Sequence, residues 1–369
     1  MEIENFKSFK NKTVLDFINN NNYELLQNRN VTNKILKGSI FVGGNATGKT
    51  NIISAIKILL DLLFSDTKIN LSNYKCMFSE EDIIKLNYTF NVENNKIEYK
   101  IEYDVIQEIL VEKLTLNKSI ILGRVGESGR VEILQQKNFS NLEKDSLLLR
   151  SSYNNKLFND NLILKKWFDY LKNSIYLDTA SSKSINNKSK SILSDYLNEN
   201  GVSEINEFFT NHNFNWEIQY INNDKMQNQD IEKYIYLKRD GINKLLPLSM
   251  ESLGNKNLLT ILPSFFNVIK NGGMLIIDEF SNSFHNELEE LLVKVFMKNS
   301  KKSQLFLVSH STNLLSNTIF RPDQEYSIDF DGEEGSIVNR FSDSKPRETQ
   351  SIEKMYNSGC FGGSPEYLL

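Results

Sequence analysis

Cysteine is scarce in this chain. Cys76 and Cys360 are the two it has, and their spacing excludes a disulfide-built scaffold and a cysteine zinc site. Two free thiols in a reducing cytoplasm are the expectation. An excess of positive charge is also missing. Lys and Arg number 43 against 47 Asp and Glu, for a formal net charge of -4. Nucleic-acid binding would therefore need a local basic patch or a partner. No apolar run is long enough to cross a bilayer. The longest, Ile52 to Phe64, is short and interrupted by Lys57 and Asp61. The opening MEIENFKSFK is charged from its second residue, so no secretory leader is expected. There is no fixed-period repeat and no sustained heptad run.

What remains is an ordinary soluble composition in a long chain. The 369 residues are 40% hydrophobic and 24% charged, enough for a large core or two lobes. The beginning reads as strands, with the apolar GSIFV at Gly38 to Val42. Ile52 to Phe64 has helical spacing, with Ile52, Ile53, Ile56, Leu59, Leu60 and Leu63 on one face. From Asp82 to Val125 apolar and polar residues alternate in KLNYTFNV, KIEYKIEYDV and SIILGRV, a run of antiparallel strands. Leu142 to Asn200 turns helical, as in LILKKWFDYL and SILSDYL. Between them SSKSINNKSKS, Ser181 to Ser191, is either a surface loop or a basic loop that contacts phosphate. Strand patterns resume at Trp216 to Tyr220 and Tyr234 to Leu237. A helix, strand, helix and strand follow from Ser252 to Val308.

The chemistry concentrates in a few places. Gly43-Gly44-Asn45-Ala46-Thr47-Gly48-Lys49-Thr50 fits G-x-x-x-x-G-K-[ST]. Its glycines let backbone N–H groups turn toward phosphate oxygens, and the next helix adds its positive end. Lys49 would meet the β- and γ-phosphates, and the Thr50 hydroxyl would ligate Mg²⁺. A plain glycine turn is the alternative. The flanking strand and amphipathic helix weigh against it. A second apolar strand, Met274 to Ile277, runs into Asp278-Glu279. Asp278 would hold the metal through water, and Glu279 would polarise an attacking water. A structural ion-pair site is the alternative, but adjacent carboxylates without a metal repel each other. Gln304 to Val308 ends in Ser309-His310, where the imidazole could sense the γ-phosphate or be an ordinary surface or core histidine. Glu287 to Lys298 is a core helix with Leu288, Leu291, Leu292, Val295 and Phe296 on one face. Ser252 and Gly254, in ESLGNK after Pro247, read alone as a helix cap.

Taken in order, these motifs resemble the ABC-type ATPases of the SMC/RecF class. IENFKSFKNKTVLDF is similar to that class's first strands. GGNATGKTN, ending in Asn51, resembles its Walker A loop, LIIDEF its Walker B and ESLGNKNLL a divergent signature. SNSFH resembles the D-loop region and LVSH the switch-histidine loop. The late RPDQEYSIDF and SIEKMYNSGCFGGSP resemble compact ABC-like AAA ATPases of bacterial abortive-infection and anti-phage operons, RloA-like and AbiL-like.

The resemblance implies an α/β fold: an ABC-type P-loop head with a mixed sheet, an antiparallel β-subdomain and a helical insertion. It divides the chain into an N-terminal ATPase lobe at 1–135, an insert at 136–243 and a C-terminal ATPase lobe at 244–369. It implies ATP and Mg²⁺ as cofactors and a head-to-tail homodimer, or a higher oligomer. Gly43 to Asn51 would bind nucleotide, with Thr50 and Asp278 for the metal. Glu279 is the base and His310 the switch, and Ser252 and Gly254 cap the γ-phosphate in trans. The signature reads ESLGN rather than LSGGQ. Neither Gln107 nor Gln136 fits a Q-loop, and His285 falls in the D-loop region. The expected function is ATP hydrolysis that senses phage infection and controls an effector such as a nuclease, with DNA a candidate ligand and no membrane. The rival is a nucleotide-gated clamp or scaffold with little turnover, which Glu279 argues against because a pure switch needs no base. A third reading makes the chain a nuclease through Asp331-Gly332-Glu333-Glu334-Gly335, whose glycines fit a hairpin turn better.

Overall fold

The computed structural model describes residues 1–20, 22–132, 137–178, 183–185, 192–221, 234–282 and 284–364, with 183–185, 192 and 282 as backbone alone. Gln136 and most of the Ser181–Ser191 stretch lie outside the described residues, as do Ser283 of SNSFH and Pro365 of the late motif.

A seven-stranded sheet forms the centre. Its order is Lys183–Ile185, Ile175–Asp178, Gly273–Asp278, Ser303–Val308, Gly38–Gly43, Glu325–Asp331 and Gly335–Arg340. The inner strands all run parallel, and the outermost pairing on each side is antiparallel. Strand alternation sorts the side chains into two cores. Phe41, Ile276, Phe306 and Ile328 point to one, with the helix Lys49–Phe64. Ile40, Val42, Leu275, Ile277, Leu305 and Leu307 point to the other, with the helices Leu253–Asn271 and Asn286–Asn299.

The first core is closed by an antiparallel sheet of eight strands. Its meander Ile83–Val92, Asn95–Asp104, Ile109–Leu116 and Ser119–Val125 is the alternating run expected from the sequence. Glu2–Glu4 joins this sheet beside Ile83–Val92. The helix Lys49–Phe64 is therefore covered on several sides. Besides the expected stripe, Ala55, Ile58 and Leu62 are buried too, as befits a helix packed between two sheets.

Two features differ from the sequence reading. Ile175–Asp178 is a strand in a stretch read as helical, and it lies beside the strand ending in Asp278. The helix Asn286–Asn299 buries Glu289, Leu292, Val293, Phe296 and Met297, whereas Leu288, Leu291 and Val295 are only half-buried. The helix is rolled so that a carboxylate faces inward. Burial pushes the Glu289 carboxyl up to about 7, and the Ser311 and Asn313 side chains oppose that shift.

Candidate nucleotide site

The strand Gly38–Gly43 is buried along its whole length. The chain leaves it through a loop with Ala46 at φ 61° and Gly48 at φ 108°. Gly48 answers a need for space as well as for backbone freedom. A Cβ there would lie 2.3 Å from Ser336 Oγ and 2.6 Å from Ser8 Oγ. Thr47 Oγ1 donates to Gly44 O at 3.0 Å, which closes the loop on itself. Asn45 and Ala46 form its exposed tip. The loop then enters the helix at Lys49 and Thr50.

Lys49 is 5% exposed. Its Nζ donates to Gly43 O at 3.0 Å and Gly44 O at 2.6 Å. Burial lowers its pKa, and the charges of Glu279 and Asp278 work against that. The ammonium thus rests on the carbonyls of the loop it would help to fill. The Asn51 side chain turns away and donates to Ser8 Oγ at 2.8 Å.

The carboxylates stand at the end of the next strand but one. Asp278 is buried at the last position of Gly273–Asp278. Its Oδ1 accepts from Thr50 Oγ1 at 3.3 Å and from the Glu279 backbone N at 3.1 Å. Its Oδ2 accepts from Tyr176 OH at 3.3 Å. Burial raises the Asp278 pKa, the charges of Glu279 and Asp178 add to it, and the Thr50 and Tyr176 hydrogen bonds oppose it. Glu279 follows at φ 57°, a left-handed turn that is uncommon without glycine and gathers at functional sites. His310 lies just past the intervening strand Ser303–Val308. Its Nε2 is 3.6 Å from Glu279 Oε1, and its backbone N donates to Ser281 Oγ at 3.1 Å.

Three neighbouring parallel strands therefore end together, carrying Lys49 and Thr50, then His310, then Asp278 and Glu279. That is where open α/β sheets hold ligands. The Thr50 hydroxyl and Asp278 carboxylate offer adjacent hard oxygen donors, which fit Mg²⁺. The loop N–H groups and Lys49 fit a polyphosphate.

A family model described as "AAA domain, putative AbiEii toxin, Type IV TA system" matches residues 39–316. The chain belongs to this family. The AAA domain's fold is similar to the SMC head domain from Thermotoga maritima, with 14% identity and a TM-score of 0.50 over 91% of this chain and 96% of that one. It is also similar to an SMC head solved bound to the C-winged helix domain of ScpA, with 14% identity and a TM-score of 0.50 over 91% and 95% of the two chains. At such identity the likeness is one of fold. No curated protein matches.

The signature-like stretch of the AAA domain sits elsewhere. Ser252 caps the helix Leu253–Asn271, its Oγ accepting from Asn255 N at 3.3 Å, and Gly254 lies in the first turn. This helix packs on the face of the parallel sheet opposite the Lys49–Phe64 helix. Arg239 Nη2 donates to both oxygens of Glu251, at 2.7 and 3.0 Å, and so steadies the approach to the cap. Met250 and Leu253 flank it at 76% and 67% exposure. His285 immediately precedes the helix Asn286–Asn299, its carbonyl accepting from Leu288 N and Glu289 N. Gln107 lies in a turn of the antiparallel sheet, its N donating to Asp104 Oδ1. Asp331 to Gly335 is a hairpin turn, with Asp331 Oδ1 accepting from Glu333 N and Glu334 N.

Three residues that brace the Gly43–Thr50 loop escaped the sequence reading. Ser8 and Ser336 meet beside it: Ser336 Oγ lies 2.6 Å from both Ser8 Oγ and Thr47 O. Gly363 O accepts from Gly44 N at 3.0 Å and from Tyr356 OH at 2.9 Å. The strand carbonyl Ile328 O is squeezed between two glycines. A Cβ on Gly43 would come within 2.3 Å of it, and one on Gly363 within 2.8 Å. The Gly362-Gly363 pair in the late motif was the one available signal, since both sit at φ 69°.

Proposed function

We propose that this AAA domain hydrolyses ATP with Mg²⁺ in a head-to-tail dimer, and that the cycle controls a partner effector in bacterial defence. The observation that carries the reading is the meeting of Lys49, Thr50, Asp278, Glu279 and His310 at the ends of three adjacent strands. Thr50 and Asp278 would hold Mg²⁺, which would supply positive charge against the β- and γ-phosphates. Lys49 would leave the Gly43 and Gly44 carbonyls and donate to the same phosphates. Glu279 would orient the attacking water and accept its proton. His310, beside Glu279, would follow the γ-phosphate and register its departure.

The position of the signature-like stretch supports the dimer reading. Ser252 and Gly254 open a helix on the sheet face opposite the phosphate-loop helix, among exposed apolar side chains. In that position they suit the nucleotide of a second copy. Hydrogen bonds from such a cap to a charged phosphate contribute about 1.5–3 kcal/mol each, and loss of the γ-phosphate would release them. The defence role and an effector such as a nuclease rest on the family description and on the late motif's resemblance to abortive-infection ATPases.

The test is turnover and mass of the purified protein. Glu279→Gln should lower ATP turnover about 100-fold or more and accumulate an ATP-bound dimer in light scattering. Unchanged turnover in this variant removes Glu279 as the base. A wild type that binds ATP, dimerises and barely turns over favours the clamp instead.

A further inference from the structure

Tyr176 belongs to none of the recognised motifs. It sits on the short strand Ile175–Asp178, which pairs in parallel with the strand carrying Asp278, so that Asp178 and Asp278 lie in register. Its ring is buried in the core shared with the phosphate-loop helix. Lys57 Nζ of that helix stands 5.4 Å from the ring centroid, and Lys57 is in turn paired with Asp61. The ring is thus held by packing and by a cation over its face. The hydroxyl donates to Asp278 Oδ2 at 3.3 Å.

Asp278 is thereby fixed at both oxygens. Thr50 and the Glu279 backbone N hold Oδ1, and Tyr176 holds Oδ2. A carboxylate tied at one oxygen can still tilt about that contact, and a tie at the other oxygen restrains that movement. Partners of this kind orient metal-supporting carboxylates, and their loss costs about 10–100-fold in metal affinity. We infer that Tyr176 is a positioning residue that locks the Asp278 carboxylate in the orientation in which it supports Mg²⁺. The inference rests on the ATP–Mg²⁺ reading above. It adds that a strand outside the Walker motifs sets how strongly metal strengthens nucleotide binding.

The experiment uses the full chain and Tyr176→Phe, which keeps the ring and deletes the hydroxyl. Binding of a fluorescent ATP analogue is titrated in EDTA and in Mg²⁺, and Mn²⁺ binding is followed by electron paramagnetic resonance with a non-hydrolysable ATP analogue. Tyr176→Phe should match wild type within about twofold in EDTA and bind the Mg²⁺–nucleotide and Mn²⁺ about tenfold more weakly. Tyr88→Phe is the control. Tyr88 OH donates to Ala55 O on the same helix, so its loss removes another buried hydroxyl from the same core. It should leave the ratio of the two nucleotide affinities unchanged. Equal metal affinities in Tyr176→Phe and wild type overturn the positioning role, as does an equal loss with and without metal. A wild type that binds no ATP in either buffer overturns the nucleotide reading itself, a result distinct from both.

Discussion

Arg321 and Lys49 are buried cations near opposite ends of one central sheet, and their partners differ in kind. Arg321 is fully buried where the strand Glu325–Asp331 begins. Its Nε and Nη2 donate to the two oxygens of Asp323 at 2.9 Å each. Nη1 donates to Leu25 O and Gln27 Oε1, and Nη2 also to Asn20 O. Around it Asn30 donates to Gln324 Oε1 at 2.7 Å, and Gln324 donates to Gly38 O at 2.8 Å. Lys49 is almost as buried, yet its ammonium donates to two carbonyls of its own loop. A guanidinium saturated by rigid partners fastens segments distant in sequence. An ammonium resting on a loop can exchange those carbonyls for a ligand's oxygens. On the proposed nucleotide reading, the contrast separates a structural charge from a functional one better than burial does.

The sharpest way to break the contrast is to remove each cation in turn. Lys49→Ala should weaken ATP binding about 100-fold or more, the loss of two charge-assisted hydrogen bonds. Its melting temperature should stay within a few degrees of wild type. A binding isotherm and a thermal melt on the same preparation check both halves. Retained affinity would make Lys49 a structural charge like its counterpart.

Arg321→Met should do the reverse. It leaves Asp323 buried without its cation, and breaking a buried pair in this way costs about 3–5 kcal/mol. Denaturant unfolding should show that loss, while ATP affinity per folded molecule stays within about twofold. A comparable fall in affinity would mean that the two ends are coupled through the sheet.

The same contrast explains what could be read from the chain. Gly43 to Thr50 and Asp278-Glu279 were legible because each is a contiguous motif with a strand before it. The helix cap at Ser252 was legible from its own short motif after Pro247. The alternating strands from Ile83 onward were legible because their period of two runs over many residues. Ile175–Asp178 was not, because a strand of four residues beside a helix carries no period of its own. Tyr176 was missed with it. Ser8, Ser336 and Gly363 reach the phosphate loop from the two far ends of the chain, and no local pattern announces such a meeting. Arg321 shares this fate, since Asn20, Leu25 and Gln27 come from the opposite terminus.

A pH-dependent effect sharpens the comparison within the fastened end itself. Glu325 is fully buried beside this network, and neither of its carboxylate oxygens has a hydrogen-bond partner among the described residues. Burial, with the nearby Asp323 charge, raises its pKa well above the usual carboxylate range. The folded protein therefore keeps Glu325 protonated at pH values where the unfolded chain has released that proton. Folding takes up a proton, so this group's contribution is fully present below about pH 4.5 and is lost as pH rises toward the folded-state value. The slope for one proton is about 1.4 kcal/mol for each pH unit. Glu325→Gln keeps the shape and cannot ionise. Its stability relative to wild type should therefore climb as pH is raised from 5 to 8, in unfolding curves measured at each pH. A difference that stays flat across that range would mean that Glu325 is ionised in the folded protein, and that the end fastened by Arg321 holds a second, uncompensated charge.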